Sequence, residues 1–171
     1  LLVGFGRNPQ NGGWLQVRDD KVAAWAQKTW ARLSWTGYNR FNGATWPALG
    51  NADSDPLEEV FIGEEAYPGR GGYVRVLDDP SHGFAPLRWL HVPWAEYQTY
   101  SGETRPAVID VDSDGRGELV VGLGPYPRAG GYYVMWDEPI ADPTDTEWER
   151  GPDPTYNSEN GEYWPSGGDV H

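Results

Sequence analysis

Shifted along itself by 59 residues, the chain matches itself twice without a gap. Gly12-Gly13 falls on Gly71-Gly72 and then on Gly130-Gly131, and Trp30 falls on Trp89 and Trp148. Tyr38 falls on Tyr97 and Tyr156, Gly43 on Gly102 and Gly161, and Pro47 on Pro106 and Pro165. A repeat of that length is one supersecondary unit that cannot bury its own apolar face, so neighbouring copies must complete its core. The chain divides into copies 1–59, 60–118 and 119–171, the last one short.

Composition narrows what such a unit can be. Gly (23) and Pro (15) are abundant, which favours short strands and turns over helices. A formal net charge of −13 argues against a nucleic-acid partner or an anionic membrane and suits cations instead. There is no cysteine, hence no disulfide framework or thiolate site, and no apolar run long enough for membrane insertion. The only methionine is Met135 and the first residues do not resemble a secretion signal, so a processed or partial product is expected.

Within one copy, Pro106–Ile109 is a short apolar run, followed by the acidic stretch Asp110–Glu118 and the apolar run Leu119–Gly124. A Pro/Gly turn from Pro125 to Gly131 leads to Tyr132–Trp136 and the acidic pair Asp137-Glu138, and the middle copy adds Leu87–Val92. Four short strands separated by turns predict an all-β chain built of β-propeller blades, each of four antiparallel strands. Lys21–Leu33 alone reads as an amphipathic helix. Its counterparts carry Pro80, Gly83 and Pro86, then Pro139 and Pro143, so a loop leading into a strand is expected instead. The third copy has Glu149, Arg150, Gly151 and Pro152 where the second has Leu90, His91, Val92 and Pro93, which predicts an outer strand that is irregular or contacts something else.

The chemistry lies in the acidic turn. Asp110, Asp112 and Asp114 alternate along the chain, Gly115 permits the reversal and Glu118 closes the loop. Alternate carboxylates on a curled backbone converge on one point, which suits a hard cation taking six to eight oxygens, with the Arg116 carbonyl as a further ligand. An EF-hand would need Glu where Val121 stands, between helices rather than strands. The bland alternative is a solvated Asp/Gly turn, and recurrence at the repeat spacing weighs against it.

Asp110–Gly124, followed by Gly-Gly and a strand such as Gly72–Asp78, resembles the FG-GAP/VCBS repeat of integrin-type β-propellers. The resemblance implies a calcium-stabilised blade in an extracellular or cell-surface protein. Its ligands by position would be Asp110, Asp112, Asp114, the Arg116 carbonyl and Glu118. In the first copy they would be Asn51, Asp53, Asp55, the Leu57 carbonyl and Glu59. There Pro56 replaces the glycine, so a different turn and weaker binding are expected. Asp169 is the one carboxylate left for a third metal site, since His171 stands where the other copies have Asp.

Other signals are weaker. His82, His91 and His171 show no metal-ligand spacing, Gly4-Phe-Gly6 and Gly122-Leu-Gly124 precede no phosphate-binding helix, and no nucleophile elbow is present. Repetition of Trp30, Trp89 and Trp148 predicts burial between neighbouring sheets. Trp35 and Trp94 form another register, where the third copy has Asp153. Tyr38, Tyr97 and Tyr156 each precede a glycine-containing turn and are candidates for glycan stacking. The expected function is a non-enzymatic adhesion or structural scaffold with a protein or glycan ligand; the alternative is a lectin with inter-blade aromatic pockets.

In repeat phase, Leu1 falls on Val60 and Leu119, and His171 on Asp53 and Asp112, so both ends lie inside a blade. Open blades expose strand edges. The expectation is that the chain is not a free monomer: it joins adjacent repeats of a longer chain, or copies of itself head to tail in a ring or filament.

Overall fold

The computed structural model describes residues 1–127 and 131–150. The apolar runs separated by Gly/Pro turns form strands, and within each sheet every strand pairs antiparallel with the next in sequence. The first sheet holds β1 (Leu2–Gly4), β2 (Trp14–Arg18) and β3 (Gln27–Arg32). The second holds β4 (Thr45–Gly50), β5 (Glu59–Glu64), β6 (Tyr73–Leu77) and β7 (Pro86–His91). The third holds β8 (Thr104–Ile109), β9 (Glu118–Leu123), β10 (Tyr132–Trp136) and β11 (Thr146–Arg150). The chain is thus all-β in three antiparallel sheets, and among the described residues they close into neither a barrel nor a ring.

Strand register repeats with the sequence. Pro47 lies opposite Ile62 as Pro106 lies opposite Val121. Proline donates no ladder hydrogen bond, and β4 and β8 are edge strands, where that omission is tolerated. Residues 21–25 form a turn into β3, as the comparison of copies predicts. As far as Arg150 the outer strand of the third sheet is not irregular: β11 pairs with β10 over Thr146–Arg150, since backbone pairing does not require the apolar side chains that this copy lacks, while Gly151 and Pro152 lie outside the described residues.

Two short helices went unforeseen, α1 (Thr36–Phe41) and α2 (Ala95–Tyr100), between β3 and β4 and between β7 and β8. Six residues make fewer than two turns, too few for a helical period to show. Each exists to bury a tyrosine, Tyr38 or Tyr97, with no exposed surface.

The core lies in the two spaces between sheets. Leu15, Leu33, Tyr38, Val60 and Ile62 fill one; Phe61, Val74, Leu90, Tyr97, Leu119, Val121 and Trp136 fill the other. Period-two alternation along β5 sends Val60 and Ile62 to one space and Phe61 to the other, so every residue of that strand is buried. Repeated small residues bring the sheets together. A Cβ on Gly4 would lie 2.2 Å from the Thr45 carbonyl oxygen and 2.6 Å from Pro47 Cδ. One on Gly63 would lie 2.1 Å from the Thr104 carbonyl oxygen and 2.5 Å from Pro106 Cδ. Gly12 likewise abuts Gly43 and Gly71 abuts Gly102, which explains why these positions recur.

The tryptophan registers exchange roles relative to expectation. Trp30 and Trp148 are 43% and 37% exposed, and Trp89 is only partly buried. Trp35 and Trp94, at the entrances to α1 and α2, reach forward instead. Trp35 packs edge-on against Tyr67, Tyr73 and Trp89 of the second sheet; Trp94 packs likewise against Tyr126, Tyr132 and Trp148 of the third. A loop residue can cross to the next sheet, whereas a residue on an outer strand is held at its own sheet's rim.

Candidate metal centre

The turn from β8 to β9 draws Asp110, Asp112, Asp114 and Glu118 together, with one ligand oxygen of each within 4.8 Å of the others. Its curl is set by the carboxylates themselves. Asp112 Oδ1 accepts from the Asp114 amide (3.0 Å), Asp114 Oδ1 from the Arg116 amide (2.7 Å) and Asp110 Oδ2 from the Gly115 amide (3.2 Å). Gly115 has φ +93°, where other residues are strained. Glu118 is buried and accepts from the Val111 amide; burial, with the charges of Asp112 and Asp110 behind it, raises its carboxyl above the ordinary range. The Arg116 guanidinium donates to Glu138 Oε1 (2.7 Å).

The turn from β4 to β5 brings Asp53, Asp55 and Glu59 equally close. Despite Pro56, most of the curl is retained. Asp53 Oδ1 accepts from the Asp55 amide and Asp55 Oδ1 from the Leu57 amide, both at 2.8 Å. The bond that Gly115 donates is lost, because Pro56 has no N–H. Asn51 joins the two loops: its Oδ1 accepts from the Asp53 amide (3.3 Å), while its Nδ2 donates to the Gly115 carbonyl (3.4 Å).

Glu59 is fully buried, and its Oε2 accepts from the Ala52 amide (2.7 Å). Its Oε1 has no hydrogen-bond partner among the described residues. Burial, with Asp53 and Asp55 adding like charge, pushes its carboxyl up to about 7. A buried oxygen without a donor, beside two more carboxylates, is left for a proton or a cation to satisfy. All-oxygen donor sets of this kind fit a hard divalent cation, and both loops meet that requirement.

Sequence reasoning missed a third group, in which Asp55, Asp79 and His82 also lie within 4.8 Å. Asp79 is buried; its Oδ1 accepts from the Ser81 amide (2.5 Å), capping the 3₁₀ turn Pro80–His82, and its Oδ2 lies 2.6 Å from His82 Nδ1. The Asp79 carboxyl is held below its usual range first by Ser81, and the His82 ring is raised first by Asp79. The available signal was the acidic pair after each third strand, Asp78-Asp79 and Asp137-Glu138. Each pair sits beside the acidic loop of its own sheet, as the Arg116–Glu138 bond also shows.

Tyr38 and Tyr97 present no face to a sugar. Both rings are fully buried, and their hydroxyls tie adjacent sheets. The Tyr38 hydroxyl donates to the Ala44 carbonyl (2.6 Å) and accepts from the Glu65 amide (2.8 Å). The Tyr97 hydroxyl donates to the Glu103 carbonyl (2.5 Å) and accepts from the Gly124 amide (2.7 Å). Tyr156 and Asp169 lie outside the described residues.

One further concavity, a cleft of about 760 Å³, opens on the first sheet and is lined by Phe5, Arg7, Asn8, Asn11, Trp14 and Trp30 among others. Phe5 stacks on Trp30 with ring centroids 5.3 Å apart, and Trp14 meets Trp30 edge-on. No described helix is long and apolar enough to cross a membrane. Compared with known proteins, the chain matches no family model, no curated protein and no solved structure.

Proposed function

We propose that the chain is a non-enzymatic, calcium-stabilised repeat module of the FG-GAP/VCBS type. In this reading its sheets are successive propeller blades that serve as an extracellular structural or adhesion scaffold. The observation that carries it is the convergence of Asp110, Asp112, Asp114 and Glu118, repeated one register earlier by Asp53, Asp55 and Glu59. Two acidic loops at equivalent positions, one holding a buried unpaired carboxylate oxygen, have a common physical use in neutralisation by a cation. Bound calcium would remove carboxylate repulsion at the turn that joins the first two strands of a blade, stiffening the rim on which a scaffold presents its loops.

Calcium titration by calorimetry, with melting in calcium and in excess chelator, tests the reading. A ligand at a hundred times its Kd stabilises the fold by about 2.7 kcal/mol. Asp112→Ala should lose more of that gain than Asp53→Ala, because the second loop gathers four carboxylates and the first gathers three. No binding heat together with unchanged melting in chelator would refute it.

A further inference from the structure

The cleft on the first sheet has two filled counterparts within the chain. In the repeat register Asn8, Trp14 and Trp30 correspond to Tyr67, Tyr73 and Trp89 and to Tyr126, Tyr132 and Trp148. On the second sheet this slot receives Trp35 and Phe41 from around α1, with ring centroids 5.5 and 4.9 Å from Tyr67. On the third it receives Trp94 and Tyr100 from around α2, at 4.7 and 5.6 Å from Tyr126. The same helix places its tyrosine hydroxyl on an amide of the receiving sheet, Glu65 or Gly124, and the following strand, β4 or β8, pairs with β5 or β9. On the first sheet every one of these acceptor positions is open among the described residues. The Gly6 amide, in register with Glu65 and Gly124, has no acceptor; a Cβ on Gly6 would meet nothing within 4 Å; and β1 has an unpaired edge.

The third copy carries the matching donor, altered in a complementary way. Tyr156 stands at the register of Tyr38 and Tyr97, and Pro165 at that of Pro47 and Pro106. The two aromatic plugs are replaced by acids: Asp153 for Trp35 and Trp94, and Glu159 for Phe41 and Tyr100. The receiving slot changes with them. Arg7 and Asn8 stand where the filled slots have Ala66 and Tyr67, or Pro125 and Tyr126. An aromatic plug meets an aromatic slot twice; an acidic plug remains for the slot that has Arg7 where the other two have Ala66 and Pro125.

We propose that this slot and the free edge of β1 bind residues 153–167 of a second copy of the chain. The geometry of the two internal joins sets the register. Tyr163 lies opposite Phe5, Trp164 opposite Gly4, Pro165 opposite Val3 and Ser166 opposite Leu2; the Tyr156 hydroxyl accepts from the Gly6 amide, and Asp153 and Glu159 face Arg7 and Asn8. The join names the surface for the repeat-array part of the function proposed above, rests on that part, and is independent of the cation.

The chain has no cysteine, so Val3→Cys with Pro165→Cys in one polypeptide provides a direct probe. Under mild oxidation the register predicts a ladder of disulfide-linked multimers, while each single variant stops at dimers. Sedimentation of the full chain at micromolar to submillimolar concentration should show association. Arg7→Asp or Asp153→Arg alone should weaken it by about tenfold or more, because like charges then meet at the join, and the two exchanged together should restore it. Far-UV circular dichroism confirms that each variant is folded. A folded monomer over that range without a ladder, a disulfide closed within one chain, or association indifferent to Arg7→Asp would overturn the proposal. So would a glycan that occupies the cleft and quenches Trp30 while the chain stays monomeric. Calcium titration of the same preparations reports separately on the cation.

Discussion

Glu64 offers the sharpest test of how this fold treats buried charge. It ends β5 where the other copies have Phe5 and Leu123, and it is 1% exposed. Its Oε1 accepts from the Tyr73 amide (2.9 Å), and its Oε2 has no partner among the described residues. Burial pushes its carboxyl up to about 8, from an ordinary value of 4.5. Across that window the folded protein retains a proton that the unfolded chain releases. The folded state binds more protons, so this group's effect is to lower stability as pH rises from 4.5 to about 8, after which the loss is complete. At pH 7 about 2.5 units of the window have been crossed, equivalent to about 3 kcal/mol at 1.36 kcal/mol per unit. Glu64→Gln keeps an acceptor for the Tyr73 amide and cannot ionise. It should match wild type below the window and exceed it by roughly 2–3 kcal/mol at pH 7, a rise of about 4–12 °C in Tm for a chain of this size. Denaturant unfolding of both proteins from pH 4.5 to 8.5, in chelator throughout, isolates the group as the difference between two curves. A stability difference that does not change with pH would refute the reasoning.

Tyr97→Phe should cost roughly 2–4 kcal/mol in denaturant unfolding, because the Glu103 carbonyl and the Gly124 amide both lose a buried partner. A loss under about 0.5 kcal/mol would mean that the hydroxyl is not the tie between sheets. Gly63→Ala should destabilise by about 1–3 kcal/mol or more, since its Cβ would fall 2.1 Å from the Thr104 carbonyl oxygen. Gly122→Ala, with its nearest neighbour 3.7 Å away, should be tolerated among the contacts described; equal melting temperatures for the two variants would contradict the packing.

Strand order and the acidic loops were legible in the sequence because both are local and both recur. A run such as Leu119–Leu123 is short, apolar and bounded by turn residues, which suits a buried strand, and Asp-x-Asp-x-Asp curls through bonds to amides two residues ahead. Repetition at 59 residues supplied the phase, so an ambiguous stretch such as Lys21–Leu33 could be settled by its counterparts. What repetition could not say is which way a repeated side chain faces. Tyr38 and Tyr97 recur because they tie sheets, and Trp30 and Trp148 recur although they stay half exposed. The glycines recur because a Cβ at Gly4 or Gly63 would strike a backbone carbonyl more than forty residues away. Only the tertiary structure placed Asp79 and His82 beside Asp55, and left Glu59 Oε1 and Glu64 Oε2 buried without donors among the described residues. Spacing along the chain dictates local hydrogen bonds and strand phase; burial and the pairing of buried charge depend on which sheets meet, and that is decided by packing across distant segments.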